Sequence, residues 1–202
     1  NASGSDADLA SLASASIMDA TWLQFDFVPT SPQVTFRYVF GSEEYTEFVN
    51  SGYNDVFGFF ITGPNPGGGT YSNVNLALIP TTTLPVSIDN VNSGSYSQFY
   101  IDNSSGVTIV FDAFTTVLTA TCQVTECQTY HIKFAVGDAG DAIYDSGVFL
   151  EGGSFPAVIL SQLLLLQQIL YFQQMQLKAV QMQLLLLLWQ LPFQHLQQYY
   201  IQ

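Results

Sequence analysis

From Leu23 to Phe27 apolar residues alternate with Gln24 and Asp26, and the same period returns where Val34, Phe36, Tyr38 and Phe40 alternate with Thr35, Arg37 and Val39. Successive side chains of a strand point to opposite faces, so both stretches read as half-buried strands, with VPTSPQ as the turn between them. Val56 to Ile61 is apolar almost throughout and reads as a buried strand, and the GPNPGGG that follows suits neither helix nor strand. Further strands are predicted at Val74–Ile79, Leu84–Ile88, Gln98–Ile101, Val107–Phe114, Thr116–Thr121, Tyr130–Val136 and Gly147–Glu151. Ahead of them Asp6 to Ala20 is rich in Ala and Ser, with Leu9, Leu12 and Ala13 at helical spacing and Asp6 or Asp8 placed to cap a short helix. Many short strands separated by turn residues predict an all-β fold, an antiparallel β-sandwich or jelly roll with a short N-terminal helix. The order of the strands in their sheets is left open by the pattern.

The pattern changes at Phe155. Residues 156–202 contain no Asp, Glu, Gly, Asn, Thr or Arg, and 27 of the 47 are Leu or Gln. The chain therefore divides into a globular domain over 1–155 and a Leu/Gln-rich tail over 156–202, helical or disordered. The longest apolar run of the tail, Leu184–Trp189, is far short of the roughly 20 residues a membrane-spanning helix needs, so no span is expected. Gln167, Gln168, Gln173, Gln174, Gln181 and Gln183 scatter around a helical wheel, which leaves no amphipathic face. Two readings of the tail stand side by side: an assembly or anchoring segment, or an out-of-frame translation of a Thr/Ser/Ala-rich linker. At the other end, Asn1 opens a small polar stretch with no leader pattern, as in a mature chain or a fragment.

Charge narrows the function classes. Sixteen acids stand against Arg37, Lys133 and Lys178, for a net charge of −13, which excludes a basic nucleic-acid footprint and disfavours anionic membranes. Abundant Phe and Tyr with Thr, Ser, Asn and Gly in the loops are the habit of extracellular β-proteins. Cys122 and Cys127 are separated by four residues, and a hairpin disulfide between them is the expectation, two free thiols the alternative.

The candidate chemistry sits in two acidic loops. FGSEEYTEFVNSGYNDVFGFFI holds Glu43, Glu44, Glu47, Asn54 and Asp55 with no Lys or Arg among them, and GDAGDAIYDSG holds Asp138, Asp141 and Asp145. Clustered carboxylates repel unless water screens them, protons are taken up or a cation binds. If the loops meet, these eight residues supply the six to eight oxygens that Ca²⁺ prefers, although no EF-hand spacing is present; solvated turn-forming acids are the plain alternative. Tyr45, Tyr53, Tyr71 and Tyr144 lie in or beside polar loops and are candidates for stacking on sugar rings, with Tyr45, Tyr53 and Tyr144 beside the acids. Glu43 and Glu47 are the pair to nominate for glycoside hydrolysis, and nothing in the sequence marks either as desolvated. His131 reads as a strand-surface residue, His195 lies in the tail, and Asn1 and Asn103 begin weak glycosylation patterns.

FGSEEYTEFVNSGYNDVFGFFITGP together with TYHIKFAVGDAGDAIYDSGVFLEGGSF resembles the choice-of-anchor L domain of secreted bacterial surface proteins. DADLASLA, LQFDFVP, TFRYVFGSEEYTEF, NDVFGFF, NLALIP, FTTVLTA and YDSGVFLE follow in that family's order over residues 6–155. The resemblance implies an exported β-rich domain, secreted or held at the cell surface, with a variable anchor and no established catalysis; no recognisable sorting domain follows Phe155. The expectation is thus a non-catalytic surface-binding or adhesion domain stabilised by calcium, with an extracellular glycan, a surface protein or further copies of itself as partner. A filament subunit, a carbohydrate-binding module and a secreted glycan hydrolase are the alternatives.

Overall fold

The computed structural model describes residues 4–107, 109–155 and, for the backbone, 157–159. The conformation expected of the Leu/Gln-rich tail beyond these, together with His195 and Asn1, lies outside the described residues.

The helix forms where its cap is. Asp6 accepts from the backbone N–H groups of Asp8 and Leu9, both at 3.0 Å, and starts α1 (Ala7–Ala10). Ten strands follow among the described residues: β1 (Ile17–Pro29), β2 (Gln33–Ser42), β3 (Val56–Pro64), β4 (Thr70–Asn75), β5 (Tyr100–Asp102), β6 (Ala113–Thr115), β7 (Leu118–Gln123), β8 (Tyr130–Ala139), β9 (Ser146–Leu150) and β10 (Ala157–Ile159). All pairings between them are antiparallel. The first sheet has the order β10-β1-β8-β3-β4. In the second, β5-β6-β2-β7, strand β2 is flanked on one edge by β7 and then β6 and on the other by β9. The chain is an antiparallel β-sandwich.

Alternation decides the core. Val34, Phe36, Tyr38 and Phe40 of β2 face inward and meet Phe57, Phe59, Phe134 and Ile132 from the first sheet. Ring contacts cross the interface, such as Phe36–Phe59 at 5.5 Å and Tyr38–Phe57 at 5.3 Å. The first sheet also has an occupied outer face, which is why β3 is apolar on both sides. There Leu9 of α1 packs with Ile17, Ala20, Val56, Phe60, Ala135 and Ala139. Lys133, half-buried on that face, holds the helix by pairing with Asp6 and with Asp8 Oδ2, the latter at 2.8 Å.

Several expectations change, among them the strand expected at Val74–Ile79, which lies earlier as β4 and ends at Asn75. Leu84–Ile88 is not a strand: only isolated bridges, Leu78↔Pro85 and Val56↔Ser87, touch it, because Pro80 and Pro85 have no N–H to continue a ladder. Of Val107–Phe114 only the end enters a strand, since Asn103 Nδ2 donates to Ile109 O and Phe111 O and folds the loop back, leaving Val107 exposed. That buried amide also removes Asn103 as a glycosylation acceptor. The hairpin disulfide is absent: Cys122 faces the core from β7, whereas Cys127 is exposed in the turn before β8 with φ of 60°, and both are free.

Candidate functional site

The two acidic loops meet at one end of the sandwich. Pairing of Val56 with Gly137 puts Asp55, just before β3, beside Asp138 and Ala139 at the end of β8. Asp55 Oδ1 accepts from Ala139 N–H at 3.0 Å, and Oδ2 accepts from the Ser146 hydroxyl at 2.7 Å. Ser146 opens β9 and is paired with Ser42, the last residue of β2, so Asp55 ties the two sheets together. Beyond Ser42, Glu43 N–H donates to Asp145 O at 3.1 Å, and Asp145 N–H donates back to Glu43 Oε2 at 3.3 Å. Gly140 makes the closest approach: its φ is +104°, and a Cβ there would stand 2.7 Å from Gly52 O and 3.0 Å from the Tyr53 ring.

Depth separates the acids into three sets. Glu44, Asp55 and Asp138 are buried, at 1%, 0% and 5% exposure, while Glu43, Asp141 and Asp145 are half-buried around them and Glu47 is exposed. Glu44 N–H donates to Ser42 Oγ, but its carboxylate oxygen Oε2 is buried with no hydrogen-bond partner among the described residues. Burial pushes the Glu44 carboxyl up to about 8, and the charges of Asp55, Asp141, Glu47 and Glu43 push it the same way. Asp138 is raised well above the ordinary carboxylate range, first by burial and then by Asp55, Asp145, Asp19 and Glu44. Asp55 is raised by burial, against the opposing effect of its bonds from Ser146 and Ala139. Glu43 and Asp145 are raised as well, mainly by burial.

Among the described residues no base offsets this. Arg37 pairs with Glu151, Lys133 with Asp6 and Asp8, and His131 Nδ1 lies 2.8 Å from Asp26 Oδ1, all away from the cluster. Two expected members sit differently. Asn54 turns aside and accepts from Asp89 N–H at 3.1 Å, and Asp141 Oδ1 accepts from Ile143 N–H within its own turn. Among the described residues no three His, Cys, Asp or Glu side chains are already arranged to hold a metal ion.

Aromatic residues rim the same end. Phe48 lies 5.6 Å from Tyr53 and 5.2 Å from Tyr144, so one ring cluster spans both loops. Tyr144 is 40% exposed, and Ile143 beside it is more so. Tyr45 is a correction: it is fully buried, donates to Val91 O at 2.6 Å and packs against Tyr100, so it is unable to reach a ligand. Tyr71 is half-buried, with its hydroxyl donating to Gln123 O.

Some members of the site carry no local signal. Ser42 and Ser146 stand inside the quoted motifs, but only strand register reveals that they face each other. Asp19 joins the cluster because β1 sets it opposite Asp138. Phe48 reads as one more core aromatic until the loops are brought together.

Residues 1–156 match the family model of the choice-of-anchor L domain. The chain belongs to the choice-of-anchor L family. The domain is one of cell-surface association, which makes the protein surface-associated or secreted, and the family is not a known enzyme family. No curated protein and no solved structure matches the chain. No helix among the described residues is long and apolar enough to cross a membrane.

Proposed function

We propose that this choice-of-anchor L domain is a non-catalytic binding domain of the cell exterior, used in adhesion or attachment. Its partner meets the end of the sandwich where residues 43–55 and 138–145 come together. The observation that carries this reading is the ring cluster of half-buried Phe48 and Tyr53 with exposed Tyr144, in the same loops as the carboxylates. Aromatic faces stack on the C–H faces of a sugar, and neighbouring carboxylates accept from its hydroxyls. A neutral extracellular glycan fits that chemistry, whereas an anionic one would be repelled. Calcium would serve stability at this end, not chemistry.

Hydrolysis fits less well. A general acid must reach the glycosidic oxygen, yet Glu44 and Asp138, the carboxyls most strongly disposed to hold a proton, are sealed from solvent.

The test is binding of the full chain to a panel of insoluble polysaccharides and arrayed neutral glycans. Binding that falls at least tenfold in a Tyr53→Ala/Tyr144→Ala double variant supports the reading. Undiminished binding in that variant contradicts it. Release of reducing sugar that disappears in Glu43→Gln or Glu47→Gln would make the protein a hydrolase instead.

A second reading rests on β4, which ends the first sheet with no strand on its outer edge among the described residues and exposes Val74. An open edge is a template for strand addition, so a filament subunit would grow there. Filaments in negative-stain electron micrographs, lost in a Val74→Lys variant, would favour assembly.

A further inference from the structure

The carboxylate cluster alone would be an ordinary acidic surface; Glu44 makes it more. Its side chain is 1% exposed, its Oε2 has no hydrogen-bond partner among the described residues, and the charged groups acting on it are Asp55, Asp141, Glu47 and Glu43, all acidic. Asp138 is buried too, near Asp55, whose own oxygens fasten β3 to the end of β8 and the start of β9. The basic side chains of the described residues, Arg37, Lys133 and His131, are each paired with other acids. A buried carboxylate oxygen that lacks both a donor and a counter-charge is what a metal ligand looks like before its metal is considered.

We infer that this end of the sandwich is a site for one hard divalent cation, Ca²⁺ in preference to Mg²⁺, bound beneath the surface by the carboxylates of Glu44 and Asp138 with Asp55. Asp145 and Asp141 close the site at the rim, and the Ser42 and Ser146 hydroxyls lie within the same shell of elements. The donors are all oxygens, which suits calcium or magnesium and not zinc or copper. They come from four segments (the end of β2, the start of β3, the end of β8 and the start of β9) and are not preset at ligand spacing. Binding therefore draws Glu44 and Asp138 together. Calcium accepts irregular shells of six to eight oxygens, whereas magnesium demands a near-ideal octahedron, so such a gathered site selects calcium. The cation would clamp the 43–55 loop to the 138–145 loop and fix the spacing of Phe48, Tyr53 and Tyr144. The inference concerns the same end of the molecule as the binding reading and stands separately from it.

The experiment uses the full chain freed of metal by EGTA. Tb³⁺ is added and its tyrosine-sensitised luminescence recorded, since Tyr45, Tyr53 and Tyr144 lie in the same two loops. One equivalent should saturate the signal, Ca²⁺ should displace it, and Mg²⁺ at the same concentration should not. Ca²⁺ should also raise the melting temperature by several degrees. Glu44→Gln and Asp138→Asn, which keep shape and remove charge, should each weaken Ca²⁺ binding at least tenfold, while Glu151→Gln, remote on Arg37, should leave it unchanged. Absence of both luminescence and a Ca²⁺-dependent melting shift in the unmodified chain overturns the site, as does undiminished binding in both variants. Glycan binding that persists in EGTA would separate the two readings: the aromatic surface would stand without the cation.

Discussion

Replacing Tyr45 with Phe isolates a role opposite to the one its neighbours suggest. Among Glu43, Glu44 and Glu47 a tyrosine looks like a ligand-facing ring, but the segment 85–92 covers it, and Val91 O accepts a hydrogen bond from its hydroxyl. Tyr45→Phe should cost about 1 kcal/mol, the usual net value of a hydrogen bond, and should leave partner binding unaltered. Urea unfolding and the polysaccharide assay together check this; lost binding with unchanged stability would return Tyr45 to the site. The covering segment explains why sequence misplaces this residue. It is held by side-chain amides, Asn92 donating to Ile88 O and Asp89 O and accepting from Gly94 and Ser95, and such a network has no periodicity to detect. By contrast Val34, Phe36, Tyr38 and Phe40 announce their burial, because one face of a strand is all that alternation has to encode.

At the scale of elements, two joints hold the functional end and the helix in place. Gly140 is the first: its left-handed backbone and its contact with Gly52 leave no room for a side chain. Gly140→Ala should destabilise by about 1–3 kcal/mol through strain and overpacking, and should weaken binding at the Tyr53–Tyr144 rim. The second joint is Lys133 with α1. Lys133→Met should cost about 1.5–3 kcal/mol, as bonds to the charged groups of Asp6 and Asp8 are lost, and should raise hydrogen exchange of residues 7–13. Exchange unchanged there would mean that Leu9 packing alone holds the helix. The cap at Asp6 and the helical spacing of Leu9 and Leu12 are legible in sequence because they are local. Cys122 and Cys127 are not: their spacing suits a staple, yet strand alternation turns one inward while the turn carries the other outward.

For the whole molecule, the meeting of two loops some ninety residues apart could only be wagered from sequence. Acid composition marks both loops as unusual, but register alone, Val56 against Gly137 and Ser42 against Ser146, brings them to one end. The consequence is a stability that depends on pH in an uncommon direction. Glu44, Asp55 and Asp138 have folded-state values raised above those of the unfolded chain, so the native state binds more protons. Their contribution is complete below the unfolded carboxylate range near pH 4. It is lost as pH rises through the folded values, which for Glu44 means about 8. The most direct measurement is therefore the melting temperature of the full chain in EGTA from pH 5 to pH 9, beside Glu44→Gln. The account predicts a steady fall with rising pH in the native sequence and a shallower one in the variant, whose amide carries no charge to bury. A melting temperature that is flat or rises over that range, with the variant parallel to it, would show that these carboxylates are solvated and that the two loops do not enclose them.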